Sequence, residues 1–373
     1  MLKAVLRAVI SATIVAGLGV IPTGGSAQAG TLSGSGVHHE LIGTWSVDRL
    51  NNILEKEFPE FAGIEETYSP AQNGVHLYRV TYPSVIPEQR NRPTVASGLV
   101  AVPDQAKGVL PVVSYQHGTV FGKHEVPSFP EESPETMAMI AQFAGQGYVV
   151  IGADYFGMGL SEEPEGYLVK ASHQQATMDM LAASDRVLAD LGIERGALFL
   201  AGWSQGGFVT FAPLESLEEA GIPVTAAATA AAPVDLGAAL RGALFFPRKI
   251  DADWVGAIFI LSAFAYENYY GVPGLARSII RDEYYELARR VYERQPFDPE
   301  AVPTSLKDLV TPGRNTRPSR AWRDHVLGAR RILQGPQHPL RGEGNPAHPG
   351  ARGVVDRVGD GRRHGDGDRF PDA

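Results

Sequence analysis

Between residues 108 and 232 the chain alternates short, nearly continuous apolar runs with stretches of helical period. The apolar runs are Gly108–Tyr115, Gly147–Ala153, Ala197–Gly202 and Val224–Ala232, and the helical stretches between them include Pro134–Gln146 and Ala171–Leu191. A strand buried on both faces needs apolar side chains at successive positions, so these runs predict interior strands. Strands that alternate with helices are joined by crossovers, which predicts a doubly wound, mostly parallel α/β sheet. Upstream, His76–Tyr82 and Thr94–Val102 are β-rich segments with turn residues between them, and they predict entry strands of the same sheet. Thr44–Phe61, before them, has the spacing of an amphipathic helix.

The rhythm stops after residue 235. Leu236–Glu293 is mostly helical in pattern and rich in large side chains, among them Leu244, Phe245, Phe246, Trp254, Phe259, Phe264, Tyr266, Tyr269 and Tyr270. It predicts a helical cap laid over the carboxyl edge of the sheet, although aromatic residues at helical spacing equally describe core-facing helices. From Gly313 to the end Lys and Tyr vanish and Arg, Gly, Pro and His take over. That composition offers too few large apolar groups to offset the entropy of ordering, so residues 313–373 are expected to form an atypical tail that is largely disordered or poorly packed. A shifted reading frame in a GC-rich gene would produce the same abrupt bias.

Composition narrows the function classes. A length of 373 residues accommodates one large α/β domain, expected over residues 37–312 with the cap near 236–293. A formal net charge of -9 without a long basic run argues against nucleic acid as partner. The absence of cysteine excludes disulfides and thiolate chemistry, and no spacing of ligands suggests a metal or a cofactor. Residues 1–29 have the parts of a secretory signal: Lys3 and Arg7, an apolar run from Ala8 to Ile21, and Ala27-Gln28-Ala29 as a cleavage site. Export, to the periplasm or the medium, is expected, with no stable membrane span after cleavage.

The chemistry-bearing motif is Gly202-Trp203-Ser204-Gln205-Gly206, placed directly after an apolar strand and directly before a helical segment. A serine on such a strand-to-helix turn is lifted clear of the sheet, and glycines two positions to either side relieve the crowding of a tight backbone. The helix that follows presents its N-terminus to negative charge developing in acyl transfer. Ser204 is therefore the candidate nucleophile. A second motif, Val112-Val113-Ser114-Tyr115-Gln116-His117-Gly118-Thr119, is a buried strand entering a His-Gly loop. Its loop is expected to supply one oxyanion-hole N–H, from Thr119 or its neighbour Val120, and Gln205 the other. His117 is expected to be structural. Asp154, at the head of Asp154-Tyr155-Phe156-Gly157-Met158-Gly159, is expected to hold a glycine-rich turn rather than to belong to an active-site floor.

From about Val109 to Asp235 these motifs resemble the α/β-hydrolase superfamily, and within it secreted lipases and esterases. The resemblance implies hydrolysis of a small-molecule or lipid ester through an acyl-enzyme, with an acid and a histidine following the serine after the last two strands. Those positions fall in the atypical tail, where His325, His338, His348 and His364 and the acids Asp324, Glu343, Asp356 and Asp360 stand, and where Asn345 occupies the place of an acid. His364 as base and Asp356 as acid are the nominal candidates. Two rival readings remain: an acyltransferase or peptidase on the same scaffold, and a truncated, non-catalytic hydrolase-fold protein.

Overall fold

The computed structural model describes residues 36–249 and 251–312; the leader 1–29 and the tail 313–373, with His364 and Asp356, lie outside the described residues. Among the described residues seven strands form one sheet in the order β1-β2-β3-β5-β4-β6-β7. β1 (His38–Trp45), β2 (Val75–Ile86) and β3 (Arg92–Pro103) make an antiparallel meander, and β3 pairs antiparallel with β5 (Val149–Ala153). β5, β4 (Gly108–Gln116), β6 (Ile193–Trp203) and β7 (Ala226–Ala230) run parallel. This is the α/β-hydrolase fold. The chain leaves β4 towards β5 on one side and returns to β6 on the other, so the loops after β4 and β6 diverge at the carboxyl edge, where such sheets bind ligands.

Helices cover both faces. On one face lie α1 (Val47–Asn52), a π turn over Ile53–Glu57, α2 (Phe58–Ala62) and α3 (Pro134–Phe143). They close a core of Trp45, Leu50, Ile53, Leu99, Val113 and Ile140 against the sheet. The other face carries α4 (Lys170–Asp190) and α5 (Gln205–Glu219), whose Met180, Val187 and Val209 pack on Val100, Val112 and Ile151. β5 is buried at all five positions, as its continuous apolar run predicts.

Two sequence expectations need correction. The segment before Val47 is not the start of a helix: His38–Trp45 forms β1, an edge strand whose polar, outward residues hide its period. The helix begins after it, with Ser46 as N-cap accepting from the Arg49 N–H. Val224–Ala232, read as an interior strand, contributes β7, all five residues of which are exposed. β7 pairs with β6 and is the margin of the sheet among the described residues, so its run of alanines does not mark burial.

Beyond β7 come α6 (Leu236–Phe245), α7 (Val255–Tyr269), α8 (Leu275–Ile279), α9 (Asp282–Tyr292) and α10 (Leu306–Leu309). Phe264, Tyr269 and Tyr292 join the core on the α4 face, while three hydroxyls bond the loop that follows β5: Tyr269 to Pro164 O at 2.8 Å, Tyr292 to Glu165 O at 2.7 Å and Tyr266 to Leu168 O at 3.5 Å. These contacts tie α7 and α9 to the loop that follows β5.

Candidate active site

β6 ends at Trp203 and α5 starts at Gln205, leaving Ser204 alone on the turn with φ 53° and ψ -121°. That left-handed conformation is one a β-carbon disfavours and neighbours must enforce. The Ser204 N–H donates to Ala230 O of β7 at 2.8 Å, and its carbonyl accepts from Phe208 N at 3.1 Å. A Cβ on Gly202 would overlap the Gly206 carbonyl oxygen, and one on Gly206 would overlap that of Gln116 and stand 2.8 Å from that of His117. Both glycines are thus fixed by close backbone approach. Among the described residues the Ser204 hydroxyl makes no hydrogen bond.

Gly206 packs on the end of β4, and Gln116 is paired with Gly202, so the loop that follows Gln116 lies beside the elbow. Every residue around Thr119 is held. The Gly118 N–H donates to both Glu135 carboxylate oxygens at 3.1 Å, and the Gly118 carbonyl lies 2.8 Å from His117 Nδ1. Thr119 Oγ1 meets the Tyr167 hydroxyl at 2.8 Å, and the Val120 carbonyl accepts from Arg294 Nη1 at 2.8 Å. Among the described residues the Thr119 and Gln205 amides donate no hydrogen bond.

The histidines nearby have other duties. The two ring nitrogens of His117 face the carbonyls of Gly118 and Asp154, and its ring stacks on Tyr155 at 4.1 Å between centroids. Burial pulls His117 down to about 4, so it is neutral at neutral pH. His173 Nε2 accepts from the Leu168 N–H at 3.1 Å and lies 3.5 Å from Gln205 Nε2, and burial together with the nearby His117 pulls it down to about 3. His117 thus has both ring nitrogens engaged, and His173 its Nε2. Asp154 accepts from Ser97 Oγ at 2.5 Å and from Ser128 N at 2.8 Å, and a Cβ on Gly159 would overlap its carboxylate. It is the buried post of the glycine turn, raised by burial against the pull of those donors.

Several supports were invisible in the sequence. Glu135 reads as an ordinary first-turn acid after the Ser133-Pro134 helix start, and Arg294 as an ordinary surface cation. In the fold Arg294 forms an ion pair with Glu165 in which each side chain is only 7% exposed, and it lies 5.9 Å from the Phe121 ring centroid. No local pattern announces a partner 129 residues away. Among the described residues no group of three or more His, Asp or Glu is placed to hold a metal, and no helix is long and apolar enough to cross a membrane.

No family model matches this sequence, and no curated protein matches it either. Solved structures do. A Legionella pneumophila protein to which hydrolase activity is ascribed superposes with a TM-score of 0.67 at 24% identity, covering 80% of this chain and 76% of that one. The rice cell wall degrading esterase LipA of Xanthomonas oryzae, in a ligand-bound form, gives 0.64 at 21% identity, covering 79% and 78%. At these identities the likeness is one of fold, and it agrees with the α/β-hydrolase architecture.

Proposed function

We propose that this chain is an exported serine hydrolase of carboxylic esters, with Ser204 as nucleophile. The observation that carries the reading is the backbone of Ser204, held at φ 53° and ψ -121° between β6 and α5 with its hydroxyl unengaged among the described residues. Strain of this kind is kept where a reaction needs the side chain presented. In the reaction, Ser204 Oγ adds to the ester carbonyl while a histidine takes its proton; the tetrahedral oxyanion is received by the Thr119 and Gln205 N–H groups. Collapse expels the alcohol, which takes the proton back, and water repeats the sequence to release the acid. His364 as base and Asp356 as its acid are the candidates, both beyond the described residues.

An apolar acyl group suits the surroundings. Trp203, Val234, Phe245 and Phe246 are exposed at 46%, 74%, 55% and 73%; Trp203 adjoins Ser204, and the others follow β7 in the chain. The esterase named among the structural neighbours agrees with ester chemistry. The leader, with Lys3 and Arg7 before an apolar run, supports export.

A second reading, a hydrolase-fold protein without catalysis, is favoured by one observation: His117 has both ring nitrogens, and His173 its Nε2, engaged elsewhere. One experiment separates the two. Hydrolysis of p-nitrophenyl butyrate and labelling by a fluorophosphonate are compared for the full chain and Ser204→Ala. Activity and labelling that vanish in the variant support the hydrolase, whereas a folded, inert and unlabelled parent chain supports the second reading.

A further inference from the structure

We infer that Glu135 is a positioning residue: its carboxylate gathers the Gly118 N–H and the Trp203 indole, and so locks the oxyanion loop to the residue that precedes the nucleophile. The inference rests on the serine-hydrolase reading above for its consequence and on geometry for its substance. Glu135 is the second residue of α3, whose N-cap Ser133 accepts from Thr136 N at 3.3 Å. Its side chain does not extend into water from the first turn, as a helix-start acid usually does. It turns back to the sheet, where both oxygens stand 3.1 Å from Gly118 N. A Cβ on Gly118 would lie 2.8 Å from Trp203 Nε1 and 3.1 Å from Glu135 Oε2, so glycine, indole and carboxylate meet at one point. That point is one residue from Thr119 on the loop and one from Ser204 on the elbow.

The charge at this junction has no counter-ion among the described residues. The groups that face it are the buried Tyr115 hydroxyl on β4, Tyr155 after β5 and the Trp203 indole N–H at the end of β6. Both phenols are raised well above their ordinary range and stay neutral. Withdrawal from water pushes Glu135 up to about 7, against the N–H donors that favour its charged form. The Gly118 N–H and the Trp203 indole converge on the carboxylate, and the Tyr115 hydroxyl faces it. Protonation turns one acceptor oxygen into a donor and leaves an N–H opposed by an O–H, so the loop and the elbow separate as pH falls through neutrality.

The test uses the full chain, with Glu135→Gln and Trp203→Phe. Intrinsic tryptophan fluorescence titrated from about pH 5 to 9 should show a transition near 7 in the parent chain that both variants lack. In Glu135→Gln, kcat at high pH should fall about 10–100-fold while KM stays within about twofold, the split expected when a transition-state donor is misplaced. The acid limb of the kcat profile should also move. A transition that persists in Glu135→Gln, or kcat unchanged there in a folded variant, overturns the inference. A parent chain that is neither active nor labelled overturns the serine reading instead, and the fluorescence titration then decides the role of Glu135 by itself.

Discussion

The carbonyl oxygen of Gln116, last residue of β4, occupies the space in which a Cβ on Gly206 would stand. The contact binds the helix after Ser204, the proposed nucleophile, to the strand that leads into the Gly118–Val120 loop. Gly206→Ala must therefore push β4 and α5 apart, at a cost of about 3 kcal/mol from overpacking, and esterase activity should fall with it. Gly242→Ala is the control. It lies in α6 with nothing within 4 Å of the added carbon, so higher helix propensity should stabilise the chain by about 0.5–1 kcal/mol. Urea denaturation of the two variants checks both signs.

Ser204 supplies a second, opposite test. Its φ of 53° and ψ of -121° match the first central position of a type II′ turn, which glycine prefers. Ser204→Gly relieves strain of about 1–3 kcal/mol and gives back about 0.5–1 kcal/mol in chain entropy. It should raise Tm while abolishing hydrolysis. A lowered Tm would show that the serine side chain stabilises the turn and that no strain is stored there.

The Arg294–Glu165 pair joins the segment after α9 to the loop after β5, and Arg294 also holds Val120. Burial raises Glu165 despite its partner, and Arg294 Nε is left without a hydrogen bond, so the pair is maintained at a cost. Removing one member leaves the other unpaired in the interior. Arg294→Met should destabilise by about 3–5 kcal/mol, and Glu165→Gln added to it should recover part of that loss. A double-mutant cycle by urea denaturation measures the coupling, and strictly additive effects would count against a buried pair.

Much of the sheet could be read from the sequence because β4, β5 and β6 are apolar on both faces and leave a one-dimensional trace. The elbow was legible for the same reason, since Gly202 and Gly206 stand at fixed offsets from Ser204 and each is required by a backbone contact. Legibility failed where burial and pattern part company. Ala226–Ala230 look like an interior strand and are exposed, whereas His38–Trp45 look polar and still pair with β2. The supports of Thr119 were hidden more deeply: Glu135, Tyr167 and Arg294 come from α3, the loop after β5 and the segment after α9, and converge only when the chain is folded.

His173 makes the acid response of the fold predictable. Burial and His117 hold it down to about 3, below its ordinary 6.5. The unfolded chain therefore binds a proton below about 6.5 that the folded chain refuses, and stability must fall as pH falls through that window, by at most about 1.4 kcal/mol per pH unit. His117, held to about 4, acts in the same direction. Glu135 acts in the other: raised to about 7 from 4.5, it takes up its proton in the folded state first and favours folding as pH drops between those values. The parent chain shows only the net slope, so the comparison has to be with His173→Gln, whose side-chain oxygen can still accept the Leu168 N–H. The stability gap between the two, measured by urea denaturation from about pH 6.5 to 4.5, should narrow by close to one proton's worth as pH falls. Parallel curves would mean that the folded chain protonates His173 as readily as the unfolded one.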